Sequence, residues 1–318
     1  MKVLVTGSAG HLGEALVRTL RAQHTQVIGV DVLRSPFTDV VGSIAGRAAV
    51  DECMRGVTHV LHAATLHKPH VATHTRQDFV DTNVTGTLNL LEAAMQAGVR
   101  AFVFTSTTST FGDALTPPAG SPAAWITEDV TPIPKNIYGV TKTAAEDLCR
   151  LFHRNHALPC LILRTSRFFP EGDDVPERRD SFDDANLKVN ELLYRRVDIA
   201  DVVSSHLLAM EKAPSLGFDK FIITATTPFD RGDLAELGRD APAVLERRYP
   251  HYPAIYSARG WRMLPALDRV YVNARARERL GWQPRYDFGQ ALRDVAAGKD
   301  HRSELARIIG SKGYHPIG

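Results

Sequence analysis

The sequence predicts an α/β protein, a doubly wound, mostly parallel sheet followed by a smaller C-terminal region. Three observations carry this: short β-branched runs alternate with helical segments through the first half, a glycine-spaced turn links the first run to the first helix, and the alternation stops after Arg164. A strand at 2–5, a helix at 11–23 and a strand at 26–30 form the first β-α-β unit. A strand at 58–62, a helix near 78–97, a strand at 101–104, a helix over 138–156 and a strand at 160–163 continue the rhythm. Each crossover lays its helix over the sheet, so such strands are buried on both faces. Beyond Arg164, residues 171–184 mix charges with little apolar periodicity and read as a loop or lid. A helix at 199–212 and a strand at 220–223 are apolar enough to rejoin the sheet. The expected division is a sheet domain over 1–165, joined by 198–225, and a smaller substrate-binding region from 166–197 and 226–318, rich in Pro and Arg; no internal repeat is found.

At 318 residues the chain exceeds the usual single-core size, and 44% hydrophobic residues supply a core. Lys and Arg number 38 against 36 Asp and Glu, a net charge of +2, so no overall field draws nucleic acid or an anionic membrane, and neither is expected as a partner. Three cysteines, Cys53, Cys149 and Cys160, show no CxxC spacing; this argues against a disulfide framework and fits a reducing cytoplasm. Five of the 13 histidines fall between His59 and His74 in no metal-ligand pattern, so no metal is expected. No apolar stretch reaches ~18 residues and no charged, then apolar leader opens the chain, so a soluble protein is expected.

Thr6-Gly7-Ser8-Ala9-Gly10-His11-Leu12-Gly13 closes the first strand and opens the first helix. Glycines here permit a tight turn, close approach of backbone to a pyrophosphate and close helix-to-strand packing, while the helix N-terminus offers free N–H groups. Asp31 ends the second strand, where a carboxylate accepts hydrogen bonds from an adenosine ribose. Strand, glycine turn, helix and acid together predict a Rossmann-type sheet that binds a nicotinamide dinucleotide. Asp31 favours NAD, since a 2′-phosphate would meet its charge; Arg34 close by leaves NADP as the alternative.

Tyr138 and Lys142 stand four apart at the start of a predicted helix, which places both on one face. A free phenol has a pKa near ~10. A neighbouring ammonium and a nicotinium charge favour phenolate and make Tyr138 a usable acid or base for a carbinol. The strand end Phe104-Thr105-Ser106-Thr107-Thr108-Ser109-Thr110 offers hydroxyl donors for the same oxygen.

With these motifs the chain resembles the extended short-chain dehydrogenase/reductases, the NAD-dependent epimerase/dehydratase family with its UDP-glucose 4-epimerase-like members. The resemblance extends to His62-Ala63-Ala64, Asn83-Val84-Thr85-Gly86-Thr87, Arg195-Arg196-Val197-Asp198-Ile199-Ala200-Asp201-Val202 and the tail Ala276-Arg277-Glu278-Arg279-Leu280-Gly281-Trp282-Gln283-Pro284. It implies Thr107, Tyr138 and Lys142 as catalytic residues. It also implies Lys142 on the nicotinamide ribose, His62, Ala63, Ala64, Thr105 and Ser106 along the dinucleotide groove, Asn83 behind the active-site wall, and Thr108 beside Thr107 at the substrate. His67 and Lys68 would face the pyrophosphate, and relatives commonly pair as homodimers through helices that would include 138–156.

The chain also departs from the family. Gly42-Ser43-Ile44 replaces the usual Gly-Asp-Ile, leaving Ser43 and Ile44 at the adenine with one hydroxyl in place of a carboxylate. Thr107-Thr108-Ser109 stands where 4,6-dehydratases carry Thr-Asp-Glu, so dehydration is not expected. Arg167 and Tyr194 occupy the positions of a usual Asn and of the diphosphate-pairing Arg, and the segment between them is short, which puts a UDP-sugar substrate in doubt. Arg167 would either bind the carboxylate or phosphate of a smaller sugar-like molecule or pair with the acidic loop 171–174. The expected chemistry is hydride transfer at a hydroxyl-bearing carbon of the epimerase type. A net dehydrogenase of a small sugar or sugar acid and a non-catalytic dinucleotide sensor are the alternatives.

Overall fold

A computed structural model describes residues 1–118, 120–173 and 175–313; Ala119, Asp174 of the charged stretch and 314–318 of the expected smaller region lie outside the described residues. The apolar runs become strands β1 (Lys2–Thr6), β2 (Gln26–Asp31), β3 (Val40–Val41), β4 (His59–His62), β5 (Ala101–Thr107), β6 (Ala124–Ile126), β7 (Cys160–Thr165), β8 (Phe218–Ile223) and β9 (Arg269–Tyr271). Seven of them form one sheet in the order β3-β2-β1-β4-β5-β7-β8, every pair parallel. Sequence order reverses at β1, so a crevice opens at the carboxyl ends of β1 and β4, where open α/β sheets bind ligands.

Helices α1 (His11–Ala22), α2 (Arg47–Cys53), α3 (Arg76–Phe79), α4 (Gly86–Gln96), α5 (Ile137–His156), α6 (Pro176–Ser181), α7 (Asp184–Glu191) and α8 (Ile199–Leu216) follow the strands. Alternate strand residues point to opposite faces. Val3, Val5, Val103 and Leu161 therefore pack with Leu16 and Leu20 of α1 and Val202 of α8, while Leu4, Val60, Phe102 and Ile162 pack with Leu90 and Leu91 of α4 and Cys149 of α5. The helix expected near 78–97 is α3, a π-helical turn at Val80–Thr85 and α4 run together. Asn136 starts α5 by accepting the Gly139 N–H at 3.1 Å, which fixes the helix two residues before Tyr138.

The later chain adds α9 (Leu234–Leu237), α10 (Ala241–Arg248), α11 (Tyr252–Ser257), α12 (Ala274–Leu280), α13 (Phe288–Ala296) and α14 (Glu304–Ile309). Leu187, Leu193, Val244, Leu245, Tyr256 and Phe288 centre a third core. Two features differ from the sequence-based division. The β6 strand, from within 1–165, pairs with β9 of the later region, and Ala276, Leu280, Trp282 and Ile309 return to the sheet's own core beside α1 and α8. The stretch expected as a loop contains the short helix α6. No helix among the described residues is long and apolar enough to cross a membrane.

Candidate active site

At the end of β1 the chain turns at Gly7 with φ +73°, and the Gly7 N–H donates to the Val30 carbonyl at 2.8 Å. Gly10 closes the turn by donating to the Gly7 carbonyl at 3.0 Å and begins α1 without a side-chain cap. The first-turn N–H groups of α1 are thus left for a ligand. A Cβ on Gly7 would lie 2.8 Å from the Ala64 nitrogen, and one on Gly13 would lie 1.9 Å from the Gly7 carbonyl oxygen, so this cradle requires glycine at both positions.

Above it runs a groove of about 590 Å³. Of the residues expected at the dinucleotide, Gly7, Ala9, Gly10, His11, Leu12, Gly13, Asp31, Ser43, Ile44, Ala63, Ala64, Thr105, Ser106 and Tyr138 line it. Asp31 is oriented by accepting the Ala9 N–H and the Leu33 N–H, each at 2.9 Å, with Arg34 and Ser35 beside it. The glycine cradle, the uncapped helix and the carboxylate at the far end fit a dinucleotide: pyrophosphate on Gly7–Gly13, ribose at Asp31.

Three residues expected at the dinucleotide, His62, Asn83 and Lys142, are buried behind the groove and do not line it. Thr6 Oγ1 accepts the N–H groups of Ala63 and Ala64 at 3.1 and 3.0 Å, so its own hydrogen goes to His62 Nδ1 at 2.8 Å. His62 Nε2 then donates to Thr87 Oγ1 at 2.9 Å, and Thr87 passes its hydrogen to the Asn83 carbonyl at 2.7 Å. His62 is therefore a neutral, fully buried tautomer; burial, with Lys142 nearby, holds it well below the ordinary imidazole range. The Asn83 amide is equally committed, accepting from the Thr65 hydroxyl and the Leu66 N–H and donating to Leu66 O and Thr141 Oγ1. It ties the loop after β4 to α5.

Tyr138 lines both the groove and a second cavity of about 220 Å³. Burial pushes the Tyr138 phenol up to about 12, opposed by Thr107 at the end of β5. Lys142 Nζ donates to the Thr105 carbonyl at 2.6 Å and lies 4.0 Å over the Phe104 ring. Burial pulls the lysine down to about 7, opposed by Glu146. The expected acidification of the phenol by its neighbour is thus not what this arrangement produces: both groups are buried, and the ammonium is spent on a carbonyl.

The second cavity is lined by Thr107, Thr108 and Arg167, as expected for a substrate site, and by residues the sequence reading did not place there: Lys68, Ser166, Arg195, Arg269 and Glu171. His67 lines both cavities, but Lys68 faces this one and not the pyrophosphate end. Arg167 pairs with Asp173 at 2.9 Å and donates to the Gly172 carbonyl at 3.2 Å, so it both lines the cavity and meets the acidic loop. Glu171 reaches His11 at 3.1 Å and accepts from Ser311 Oγ and Lys312 N–H; burial alone would raise its carboxyl, but these partners hold it down at about 2. Lys312 lines the groove and pairs with Glu14 of α1. A residue so far along the chain gives no local signal, which is why it was missed. Among the described residues no cluster of three or more His, Cys, Asp or Glu side chains is placed to hold a metal.

The family model described as "NAD dependent epimerase/dehydratase family" matches residues 3–217. A UDP-glucose 4-epimerase of Rhizobium leguminosarum bv. trifolii is 26% identical, over 92% of this chain and 95% of its own. A 3-beta-hydroxysteroid dehydrogenase of Mycolicibacterium neoaurum is also 26% identical, over 92% and 89%. Among solved structures, a short-chain dehydrogenase/reductase superfamily protein of Agrobacterium tumefaciens with bound NAD superposes with a TM-score of 0.67 at 26% identity, over 93% of this chain and 96% of that one.

Proposed function

This chain belongs to the NAD dependent epimerase/dehydratase family, and from that premise we propose that it transfers a hydride at a hydroxyl-bearing carbon of a sugar-like substrate, with Thr107, Tyr138 and Lys142 as its catalytic residues. One observation carries the reading: Tyr138 is shared by the dinucleotide groove and the smaller cavity, so a nicotinamide in one and a carbinol in the other would meet at its hydroxyl. Bound in the groove, NAD supplies the hydride acceptor or donor; Asp31 favours it over NADP by meeting ribose hydroxyls and repelling a 2′-phosphate.

The protein's own groups handle the proton. With its pKa near 12, the phenol holds its hydrogen at neutrality and is ready to give it to a carbonyl oxygen. The reverse direction needs phenolate, which burial opposes and positive charge favours. Lys142 and the nicotinium ring would supply that charge once both lie beside Tyr138. Thr107 Oγ1 accepts the Ser109 N–H at 3.1 Å, leaving its own hydrogen for the substrate oxygen or the phenol.

Both cofactor-recycling epimerisation and net oxidation use this chemistry. The second cavity is less than half the volume of the groove, 220 against 590 Å³, and this favours a compact sugar or sugar acid, oxidised or reduced with exchange of cofactor. Val140 and Leu151, exposed apolar residues on α5, support a homodimer packed through that helix. The test is Tyr138→Phe, expected to lower turnover by about 10²-fold or more while NAD affinity stays within about threefold. Wild-type rates in that variant would remove Tyr138 as the acid/base. Tightly retained NAD without net NADH formation would mark epimerisation, and steady NADH production a dehydrogenase.

A further inference from the structure

The resemblance puts Lys68 at the pyrophosphate, but Lys68 lines the second cavity and not the dinucleotide groove. Among the described residues lining the groove, the only lysine and arginine side chains are Lys312 and Arg34. Arg34 follows Asp31 closely in the chain, at the end that suits the adenosine ribose. Lys312 pairs with Glu14, the residue directly after Gly13 in the first turn of α1. The cation beside the glycine cradle is therefore supplied by the far end of the chain.

The helix α14 brings it there. Ser303 caps that helix by accepting the Ala306 N–H at 3.0 Å, and the Ser303 N–H donates to the Asp198 carboxylate, at the start of α8, also at 3.0 Å. Leu305, Ala306 and Ile309 pack in the core that holds Leu12, Leu16 and Leu20 of α1, and burial of these apolar side chains keeps the two helices together. Past Gly310 the chain is seated on Glu171, which accepts from Ser311 Oγ at 2.8 Å and from the Lys312 N–H at 2.9 Å. Glu171 Oε1 also lies 3.1 Å from Nε2 of His11, the first residue of α1. One carboxylate thus joins the loop after β7, the tail and the start of the helix.

The Lys312 ammonium keeps hydrogens to give. A lysine head group carries three, and among the described residues its acceptor is Glu14 Oε2. The other oxygen, Glu14 Oε1, accepts from Arg18 Nε at 2.7 Å. The uncapped N–H groups and the dipole at the start of α1 favour an anion, but a carboxylate in the same turn opposes one. Lys312 answers both points: it neutralises Glu14 and adds a charged donor on the groove wall, where hydrogen bonds to an ionised acceptor are the strong ones.

We propose that Lys312 is a cofactor-binding residue, its ammonium donating to a pyrophosphate oxygen of the dinucleotide while it shields Glu14. This rests on the dinucleotide reading of the groove, and not on the chemistry assigned to Tyr138. The tail after α14 is then part of the cofactor site.

The test is calorimetric binding of NAD and of ADP-ribose, which share the pyrophosphate, at low and at high salt. Lys312→Met is expected to weaken both ligands about tenfold. Added salt should lower the affinity of the wild type more steeply than that of Lys312→Met, which has one ion contact fewer to screen. Glu14→Gln removes the competing carboxylate and is expected to bind NAD at least as tightly as the wild type. Weaker binding in a folded Glu14→Gln would mean that Lys312 acts only through Glu14, and would overturn the proposal. Should that variant fail to fold, Lys312→Met decides. The proposal is also overturned if Lys312→Met binds both ligands as the wild type does, if NAD weakens and ADP-ribose does not, or if the two salt dependences are equal. A wild type that binds neither ligand removes the dinucleotide reading itself, so the two failures are told apart.

Discussion

Glu146 lies one helical turn beyond Lys142 on α5, fully buried, and gathers three partners. Ser106 Oγ donates to it at 2.6 Å, Arg164 Nε and Nη2 at 2.9 and 2.7 Å, and Lys220 Nζ at 3.0 Å. Burial alone would raise its carboxyl, but Arg164 and Lys220 hold it below the usual range, so it stays charged. That charge opposes the burial that pulls Lys142 down to about 7. Glu146→Gln removes the opposition, so the ammonium loses its proton at lower pH. If turnover needs charged Lys142, the alkaline limb of its pH profile moves to lower pH in the variant; an unmoved limb would show that Glu146 serves the fold alone. The same change leaves Arg164 buried without its counter-charge and is expected to cost about 3 kcal/mol or more, read as a lower denaturant midpoint. The i, i+4 spacing that marks Tyr138 and Lys142 continues to Glu146 and was visible in the sequence. Its meaning was not, because Arg164 and Lys220 come from two other strands.

Among the elements, those that rest on local pattern were legible: β1, the glycine turn, α1, and α5 with its Asn136 cap all follow from apolar period and turn chemistry. The two-residue β3 and the short β6 and β9 were not, since three residues or fewer carry no periodicity and their pairing is long-range. Two motifs read separately, the run ending in Asp201-Val202 and the tail around Trp282, are one contact. Trp282 is fully buried; its Nε1 donates to the Asp201 carbonyl at 3.1 Å and to Ser204 Oγ at 3.0 Å, while the Asp201 carboxylate accepts the N–H groups of Arg285 and Tyr286 at 3.0 and 2.9 Å. The tail is thereby clamped to α8 and closes one face of the sheet, a role that spacing alone does not announce. Trp282→Ala opens a cavity in that face and is expected to cost about 3–5 kcal/mol, measured by urea unfolding. A loss below about 1 kcal/mol would mean the tail is not part of the sheet's core.

For the whole molecule, histidines buried against opposite faces of the sheet couple folding to pH. His62 packs by Phe102 and Phe104, while His206 of α8 donates from Nδ1 to the Val202 carbonyl and accepts at Nε2 from Thr105 Oγ1, each at 2.8 Å. Burial brings His206 down to about 4 and holds His62 well below its ordinary value. A depressed imidazole takes its proton only in the unfolded chain, so stability is present above the unfolded value near 6.5 and drains away as pH falls toward the folded one. For His206 a shift from 6.5 to about 4 is worth about 3 kcal/mol. Asp201 works in the other direction: burial raises it to about 6, so the folded state binds a proton that the unfolded chain does not, and acidification from 6 to 4 returns about 3 kcal/mol. These two nearly cancel, which leaves the net fall to His62 with His59, His70 and His301, all held low by burial, against Glu128, which burial raises. Below the ordinary carboxylate range Glu171, held at about 2, adds its own loss. Urea midpoints taken at pH 7, 5.5 and 4.5 should decline modestly for the wild type, more steeply for Asp201→Asn, which loses the opposing gain, and less steeply for His206→Gln. Equal slopes in all three proteins would show that these buried groups do not govern the acid limb.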